Sequence, residues 1–213
     1  MAAISISRQA GSRGARIARG LAKELGWELA DKATINRVIR QYGLLRLNEF
    51  YDEPPTLGTL FNDNAALTIE MMNEIIAAIA ARGNVVILGR GAFAVLSEVA
   101  DALTVFIEAP PEARAARIAA RDGVDLETAA KRVKADDKLR RRFTRRYYNT
   151  AWDKPLNYDL VVNTADLSDE QAIEQILAAL HALPTRAEGL VTQTLAVHPV
   201  LARTIDEVMG VRA

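Results

Sequence analysis

Short, strongly apolar runs punctuate this chain at Ile4–Ser7, Asn84–Leu88, Leu103–Glu108 and Asp159–Asn163, with Trp27–Ala30 a weaker fifth. Runs of this length rich in β-branched residues predict buried strands of a parallel sheet. Helical periodicity fills the intervals, over 15–25, about 33–43, about 62–82, 111–121, about 125–149 and 168–182. Strand and helix in alternation predict an α/β fold with helices on both faces of the sheet. Ligands of such folds lie beyond the carboxyl ends of the strands. That rule selects the turn at 8–14, the segment around Asp31, Gly89-Arg90-Gly91 and the loop after Asn163.

The remaining pattern is simpler. Leu67, Met71, Met72, Ile75, Ile76 and Ile79 mark helix 62–82 as a core helix, while Asp52-Glu-Pro-Pro-Thr-Leu-Gly58 breaks structure and reads as a surface loop or hinge. Beyond Pro184 a polar linker leads to a short amphipathic helix, about Pro199–Met209. Its Val200, Leu201, Ile205 and Val208 need cover, from the same core or from a second subunit in a homodimer.

Composition changes this picture little. The chain of 213 residues suits one domain with a substantial core, and 27 basic residues balance 27 acidic ones. That balance directs attention to neither nucleic acid nor membrane. The lack of cysteine excludes disulfides and Cys-based metal sites, and no apolar run is long enough for a signal core or a membrane span. These features point to a cytoplasmic location, with no metal ligands identified among the side chains. Charge is locally uneven, however: residues 131–146 carry nine Lys or Arg against Asp136 and Asp137.

Three features could carry chemistry. Arg8-Gln-Ala-Gly-Ser-Arg-Gly14 joins the first strand to the first helix, a place where backbone N–H groups and the helix dipole can hold a phosphate. Its Arg8, Arg13 and Arg16 oppose that dipole unless an anion joins them. The turn alone also reads as an ordinary glycine connection. Gly89-Arg90-Gly91 follows an all-apolar strand, where an arginine can bind phosphate or carboxylate bidentately, or simply cap the surface. In the helix at 125–149, the apolar stripe Leu126, Ala129, Ala130, Val133 runs on into Asp137, Arg140, Arg141, Thr144 and Arg145. This helix fits a lid over an anion, a solvated helix with Asp137 paired to Arg141, or a nucleic-acid patch in which Phe143, Tyr147, Tyr148 and Trp152 interleave with arginines. His181 and His198 have no ligand partners at useful spacing and read as structural.

In these segments the chain resembles the cytidylate-kinase-like branch of the nucleoside monophosphate kinases, which have a P-loop fold. The resemblance rests on Ile4-Ser-Ile-Ser-Arg-Gln-Ala-Gly-Ser-Arg-Gly14, Leu21-Ala-Lys-Glu-Leu-Gly-Trp27, Val85-Val-Ile-Leu-Gly-Arg-Gly91, Asp137-Lys-Leu-Arg140 running on to Tyr147-Tyr148, and Asn157-Tyr-Asp-Leu-Val-Val-Asn-Thr164. Their order and spacing span residues 4 to about 180.

The resemblance implies a P-loop NTPase-like three-layer α/β/α fold with a five-stranded parallel sheet and a helical lid. A kinase-like domain would occupy 1–183, with an acceptor-binding part at about 31–82 and a lid at about 125–150, leaving 184–213 as linker and helix. It implies transfer of the γ-phosphoryl group of ATP, with Mg²⁺, to a nucleoside monophosphate such as CMP. Gly11, Ser12, Arg13, Gly14, Ala15 and Arg16 would cradle the donor phosphates, and Asp31, Arg37, Arg90 and Asp137 would serve the substrate site. Arg16, Arg140 and Arg145 would be catalytic.

The turn departs from the usual G-x-x-x-x-G-K-[S/T] loop. Gly14 stands where the lysine belongs and Arg16 where the Mg²⁺-binding hydroxyl belongs; Arg13 replaces a glycine, and Ala15 the arginine common in this branch. The expected activity is therefore phosphoryl transfer through an atypical lysine-less loop, with a non-catalytic nucleotide- or anion-binding module as the alternative.

Overall fold

A computed structural model describes residues 2–41, 63–183 and 189–210. Five strands form one parallel sheet: β1 (Ala3–Arg8), β2 (Glu28–Ala30), β3 (Val85–Leu88), β4 (Ala102–Glu108) and β5 (Leu160–Asn163). Their spatial order is β2-β3-β1-β4-β5, with β1 central and Ser5 in register with both Ile87 and Thr104. The helices are α1 (Gly14–Leu25), α2 (Lys32–Gln41), α3 (Asp63–Ala81), α4 (Ala92–Val95), α5 (Pro111–Asp122), α6 (Leu126–Tyr148), α7 (Asp169–His181) and α8 (Pro199–Met209). Seven of these follow the sequence periodicity closely. The one-turn α4 has no such signal, because it is too short to show a period. The Asp52–Gly58 breaker lies outside the described residues.

Alternation along the strands assigns side chains to two faces. Ile4, Ile6, Val86, Leu88, Leu103, Val105 and Ile107 point to one side and pack with Ile17 and Leu21 of α1 and Ile173 and Ile176 of α7. Ala3, Val85 and Ile87 point to the other and pack with Ile35 and Val38 of α2 and Met72, Ile76 and Ile79 of α3. Burial on both faces is why these strands read as near-continuous apolar runs.

The apolar face of α8 finds its cover within the chain. Leu201 and Ile205 are buried in the cluster formed with α2 and α3. Polar contacts fix the same arrangement: Arg82 reaches Glu28 (3.2 Å), Asp206 and the Gly210 carbonyl (2.8 Å), and Gln41 donates to Glu207 (2.9 Å). Upstream, Asp101 accepts from the Thr192 amide and hydroxyl (2.7 and 2.6 Å), tying the segment before α8 to the start of β4. Leu201 and Ile205 therefore take their cover from the core, whereas Val200 at the start of the helix is 57% exposed.

Among the described residues no helix is long and apolar enough to cross a membrane.

Ile205→Ala is expected to lower unfolding free energy by about 2–4 kcal/mol, the usual cost of a large-to-small change in a packed core. Equilibrium denaturation measures this, and an unchanged midpoint would mean that α8 does not belong to the core.

Candidate phosphate-binding site

The turn between β1 and α1 is stitched to its surroundings at nearly every residue. The Gln9 amide donates to Ile107 O (3.0 Å), and its side-chain carbonyl accepts from the Ala109 amide (3.1 Å). Buried Ser12 donates its hydroxyl to Gln9 O (2.9 Å), while its own carbonyl accepts from the Thr164 hydroxyl (3.0 Å). Gly11 and Arg13 adopt positive φ (80° and 65°), whereas Ser12 and Gly14 do not. Alternation of this kind folds successive N–H groups into a concavity suited to an anion. The first N–H groups of α1, which have no intrahelical acceptor, follow directly.

The arginines of the turn face elsewhere. Arg13 donates to Thr164 O (3.0 Å) and Leu167 O and pairs with Asp169 (3.1 Å). Arg16, largely exposed, also pairs with Asp169, and that hydrogen bond holds its pKa above the ordinary value. Arg117 joins them, donating to Thr164 O (2.7 Å) and Gly11 O (3.4 Å). These guanidinium groups brace the turn against the β5–α7 connection, where backbone carbonyls and Asp169 satisfy them.

A different set converges on the other side. A cleft of about 240 Å³ opens at the carboxyl edge of β1 and β3, lined by Arg8, Lys32, Arg90, Asp136 and Arg140 and walled by Phe93, Phe143, Tyr147 and Trp152. Gly89, Arg90 and Gly91 all lie in the left-handed region, with φ of 79°, 59° and 78°. For the arginine this costs about 1 kcal/mol, the kind of strain that persists where function needs it. The glycines on either side are sterically required. A Cβ on Gly89 would collide with Arg8 Nη1, and one on Gly91 with the Tyr148 ring and hydroxyl.

Electrostatics show what the cleft lacks. Arg8 has its pKa pulled down to about 10, first by desolvation and then by Arg140 and Arg90, with Asp136 and Asp31 opposing. Burial and the Arg90 charge lower that of Lys32 as well. Arg140 pairs with Asp136 (3.1 Å) and lies 5.6 Å from the Trp152 ring centre, but its buried Nη1 has no hydrogen-bond partner among the described residues. Arg90 is oriented by Asn36, whose Oδ1 accepts from Nη2 (3.1 Å). Desolvated like charges facing one another favour an anion between them.

Residues 3–166 match the model of the cytidylate kinase-like family. The chain belongs to that family. A cytidylate kinase of Ignicoccus hospitalis is 32% identical over 83% of this chain and 97% of its own length. In structure, an uncharacterized protein from Eubacterium ventriosum superposes with a TM-score of 0.66 at 21% identity, covering 85% of this chain and 99% of that one. A gluconokinase from Sinorhizobium meliloti reaches 0.53 at 12% identity, covering 85% and 93% respectively. The α/β architecture is thus that of the P-loop kinases.

Within this family fold, the residues singled out from sequence separate into groups. Arg90 and Arg140 meet in the cleft. Gly11, Ser12, Gly14 and Ala15 lie at the turn, but Arg13 and Arg16 turn from it toward Asp169. Asp31 caps α2, accepting from the Ala33 and Thr34 amides (2.8 and 3.1 Å), and reaches the cleft only through its charge. Arg37 and Arg145 are exposed on α2 and α6 and do not line the cleft.

Asp137 is buried and pairs bidentately with Arg114 (3.1 and 2.9 Å), not with Arg141, which pairs with Asp153 (2.6 Å). Its role is to hold α6 to α5. Arg114 packs in turn against the glycine turn, where a Cβ on Gly11 would come within 2.6 Å of its carbonyl oxygen.

The phase of α6 explains the difference. Ala129, Val133 and Asp137 form the buried stripe, whereas Asp136, Arg140, Phe143 and Tyr147 face the cleft. Leu126, assigned to that stripe by periodicity, is 62% exposed at the first helical position after the Asp125 cap. The aromatic residues of α6 are partly buried: Phe143, Tyr147 and Tyr148 pack against the core, and Phe143 and Tyr147 also line the cleft.

Lys32 and Asp136 escaped the sequence reading as cleft residues, and Arg8 was placed beside the turn but not assigned to the site. For Asp136 the signal was its i,i+4 spacing to Arg140; for Arg8 it was a charged residue closing a buried strand.

Two outcomes follow from this geometry. Inorganic phosphate at millimolar concentration should raise the melting temperature, and thermal shift should show the rise shrinking in Arg90→Ala and Arg140→Ala. Gly91→Ala should cost about 2–4 kcal/mol in denaturation, because it combines a left-handed φ with a collision against Tyr148.

Proposed function

We propose that this chain transfers the terminal phosphoryl group of ATP to a nucleoside monophosphate, with CMP the first acceptor to test. The observation that carries this reading is the cleft itself. Arg8, Arg90 and Arg140 converge at the sheet's carboxyl edge beside an anion-binding turn, in a member of a family whose relatives include cytidylate kinases.

Phosphoryl transfer needs little covalent help from a protein; positioning and neutralisation of charge supply most of the acceleration. The N–H groups of the turn and of the first turn of α1 hold the donor phosphates. Arg90, oriented by Asn36, holds the acceptor phosphate on the β3 side. Arg140 reaches over it from α6, steadied by Asp136 and Trp152, with Nη1 available for the ligand. Phe93, Phe143 and Tyr147 give the rest of the pocket an apolar wall that excludes water. On this reading α6 is the lid and α2 with α3 the acceptor side.

The residues do not fit a protein-held Mg²⁺ at the turn. Gly14, Ala15 and Arg16 offer no hydroxyl there, and among the described residues no group of three metal-ligating side chains occurs. Mg²⁺ is proposed only as the ion that accompanies ATP on its phosphates.

The test is ADP formation with Mg-ATP and a panel of nucleoside monophosphates. Turnover should depend on the acceptor, and Arg140→Ala should lower kcat/KM roughly 10²–10³-fold, the usual effect of removing one transition-state donor. Arg90→Ala should act mainly through the acceptor KM. The same lack of a lysine at 14 and of a hydroxyl at 14–16 favours the second reading, a binding module. Tight nucleotide binding without turnover on any acceptor would select it.

A further inference from the structure

Arg8 closes the central strand at the point where the glycine turn begins. Its stem lies over the first residue of α1, so closely that a Cβ on Gly14 would sit 2.5 Å from Arg8 Cβ and 3.0 Å from Cγ. Its guanidinium extends to the β3 side, where Gly89 makes room for Nη1. The side chain therefore runs from the donor turn to the residue preceding Arg90. It lines the cleft together with Arg90 and Arg140, so its charge lies between the places proposed for donor and acceptor.

We propose that Arg8 does the work of the missing lysine, its guanidinium entering from the end of β1 while Gly14 leaves the ordinary lysine position empty to admit it. The inference rests on the phosphotransfer reading above and adds a residue and a route to it. A lysine at the first turn of a helix reaches the β- and γ-phosphates from the helix side. Here the same region is reached from the strand side, and the two positions are reciprocal. A side chain at 8 leaves room only for glycine at 14, because the two Cβ atoms would meet, and the guanidinium tip occupies the space beside Gly89.

Desolvation and the neighbouring arginines depress the pKa of Arg8, yet at about 10 it remains charged at neutral pH. A bound polyphosphate relieves both penalties. In the transfer itself, an oxygen of the acceptor phosphate dianion forms a bond to the γ-phosphorus as the bond from phosphorus to the bridging oxygen breaks. The electron pair of that bond stays with ADP, and the dianion has no proton to lose. Arg8 neutralises charge on the oxygens of the moving group and on the bridging oxygen. Arginine suits the task because its planar donors can engage two oxygens at once.

The test combines Arg8→Met, which keeps the stem and removes the charge, with Arg8→Lys and the swap variant R8G/G14K. With Mg-ATP and an accepted monophosphate, Arg8→Met should lose roughly 10²-fold or more in kcat while the acceptor KM moves less than about threefold, the signature of a transition-state contact. It should also lose most of the thermal stabilisation that inorganic tripolyphosphate gives the wild type. Arg8→Lys should retain part of both.

The swap variant should recover at least about tenfold of the kcat lost in Arg8→Met. G14K alone should lose activity, because its side chain meets the Arg8 stem. An Arg8→Met variant with kcat within about threefold of wild type, or with an undiminished response to tripolyphosphate, would overturn the proposal. So would a folded swap variant no better than Arg8→Met, or a wild type indifferent to tripolyphosphate. The two readings fail separately. A wild type without turnover sinks the kinase assignment, whereas the tripolyphosphate titration still reports on Arg8.

Discussion

Repulsion among guanidinium groups at the carboxyl edge of the sheet is the constraint around which this structure is arranged. Arg8, Arg90 and Arg140 face one cleft, and the Coulomb field of the last two acts directly on the first. Such a cluster is unfavourable without an anion, so the fold must hold it in place by other means. It does so with backbone and packing. Arg90 sits in a run of three left-handed residues, Arg8 passes between Gly14 and Gly89, and Arg140 is drawn to Asp136 and the Trp152 ring. The glycines at 89 and 91 are needed as space, for a neighbouring guanidinium and a neighbouring tyrosine, as much as for conformation.

The two arginine clusters differ in what surrounds them. Arg13, Arg16 and Arg117 on the β5 side share Asp169 and a set of backbone carbonyls, and their task is to secure the turn. Arg13 pays for a left-handed backbone with these contacts, at a position where glycine is the default. On the β3 side Asp136 is the carboxylate that lines the cleft among the described residues, beside Arg8, Lys32, Arg90 and Arg140. A satisfied cluster is structural. A cluster that lines a cleft at the carboxyl edge of the sheet is the one the phosphotransfer reading uses.

Much of this was legible in the sequence because parallel strands and amphipathic helices announce themselves by period alone. The order of strands and helices, and the placing of Arg90 and Arg140 at the carboxyl edge of the sheet, followed from pattern. The misassignments have a common origin, since a side chain's direction at an element boundary is a matter of phase. Asp136 and Asp137 are adjacent, but about 100° of helical rotation separates an acceptor in the cleft from a buried partner of Arg114. Arg13 and Arg16 lie beside the turn in sequence, yet Asp169, some 150 residues later, determines where they point. Only tertiary contact reveals that. Arg8 was visible as a charged residue at a strand end, but its meaning depends on Gly14 and Gly89 together.

The anchoring of the cleft walls is unequal, which bears on how a ligand would be enclosed. The wall formed by α2 is fixed on several sides: Ile35, Val38 and Ile39 are buried, Asn36 holds Arg90, and α8 packs against the helix through Leu201, Ile205 and the Gln41–Glu207 contact. In α6, by contrast, Ala129, Val133 and Asp137 secure the first half against α5, while the second half is held by the partly buried Phe143, Tyr147 and Tyr148, the last donating to Asn73 (2.8 Å), and its arginines are mostly exposed. An element held by partly buried contacts shifts at lower cost than one embedded in the core. On the phosphotransfer reading, the part proposed to close on a phosphate is the second half of α6, carrying Arg140, with the Arg114–Asp137 pair as its fixed point. That pair also touches the glycine turn through Ala10 and Gly11, so the base of α6 and the turn share one buried arginine.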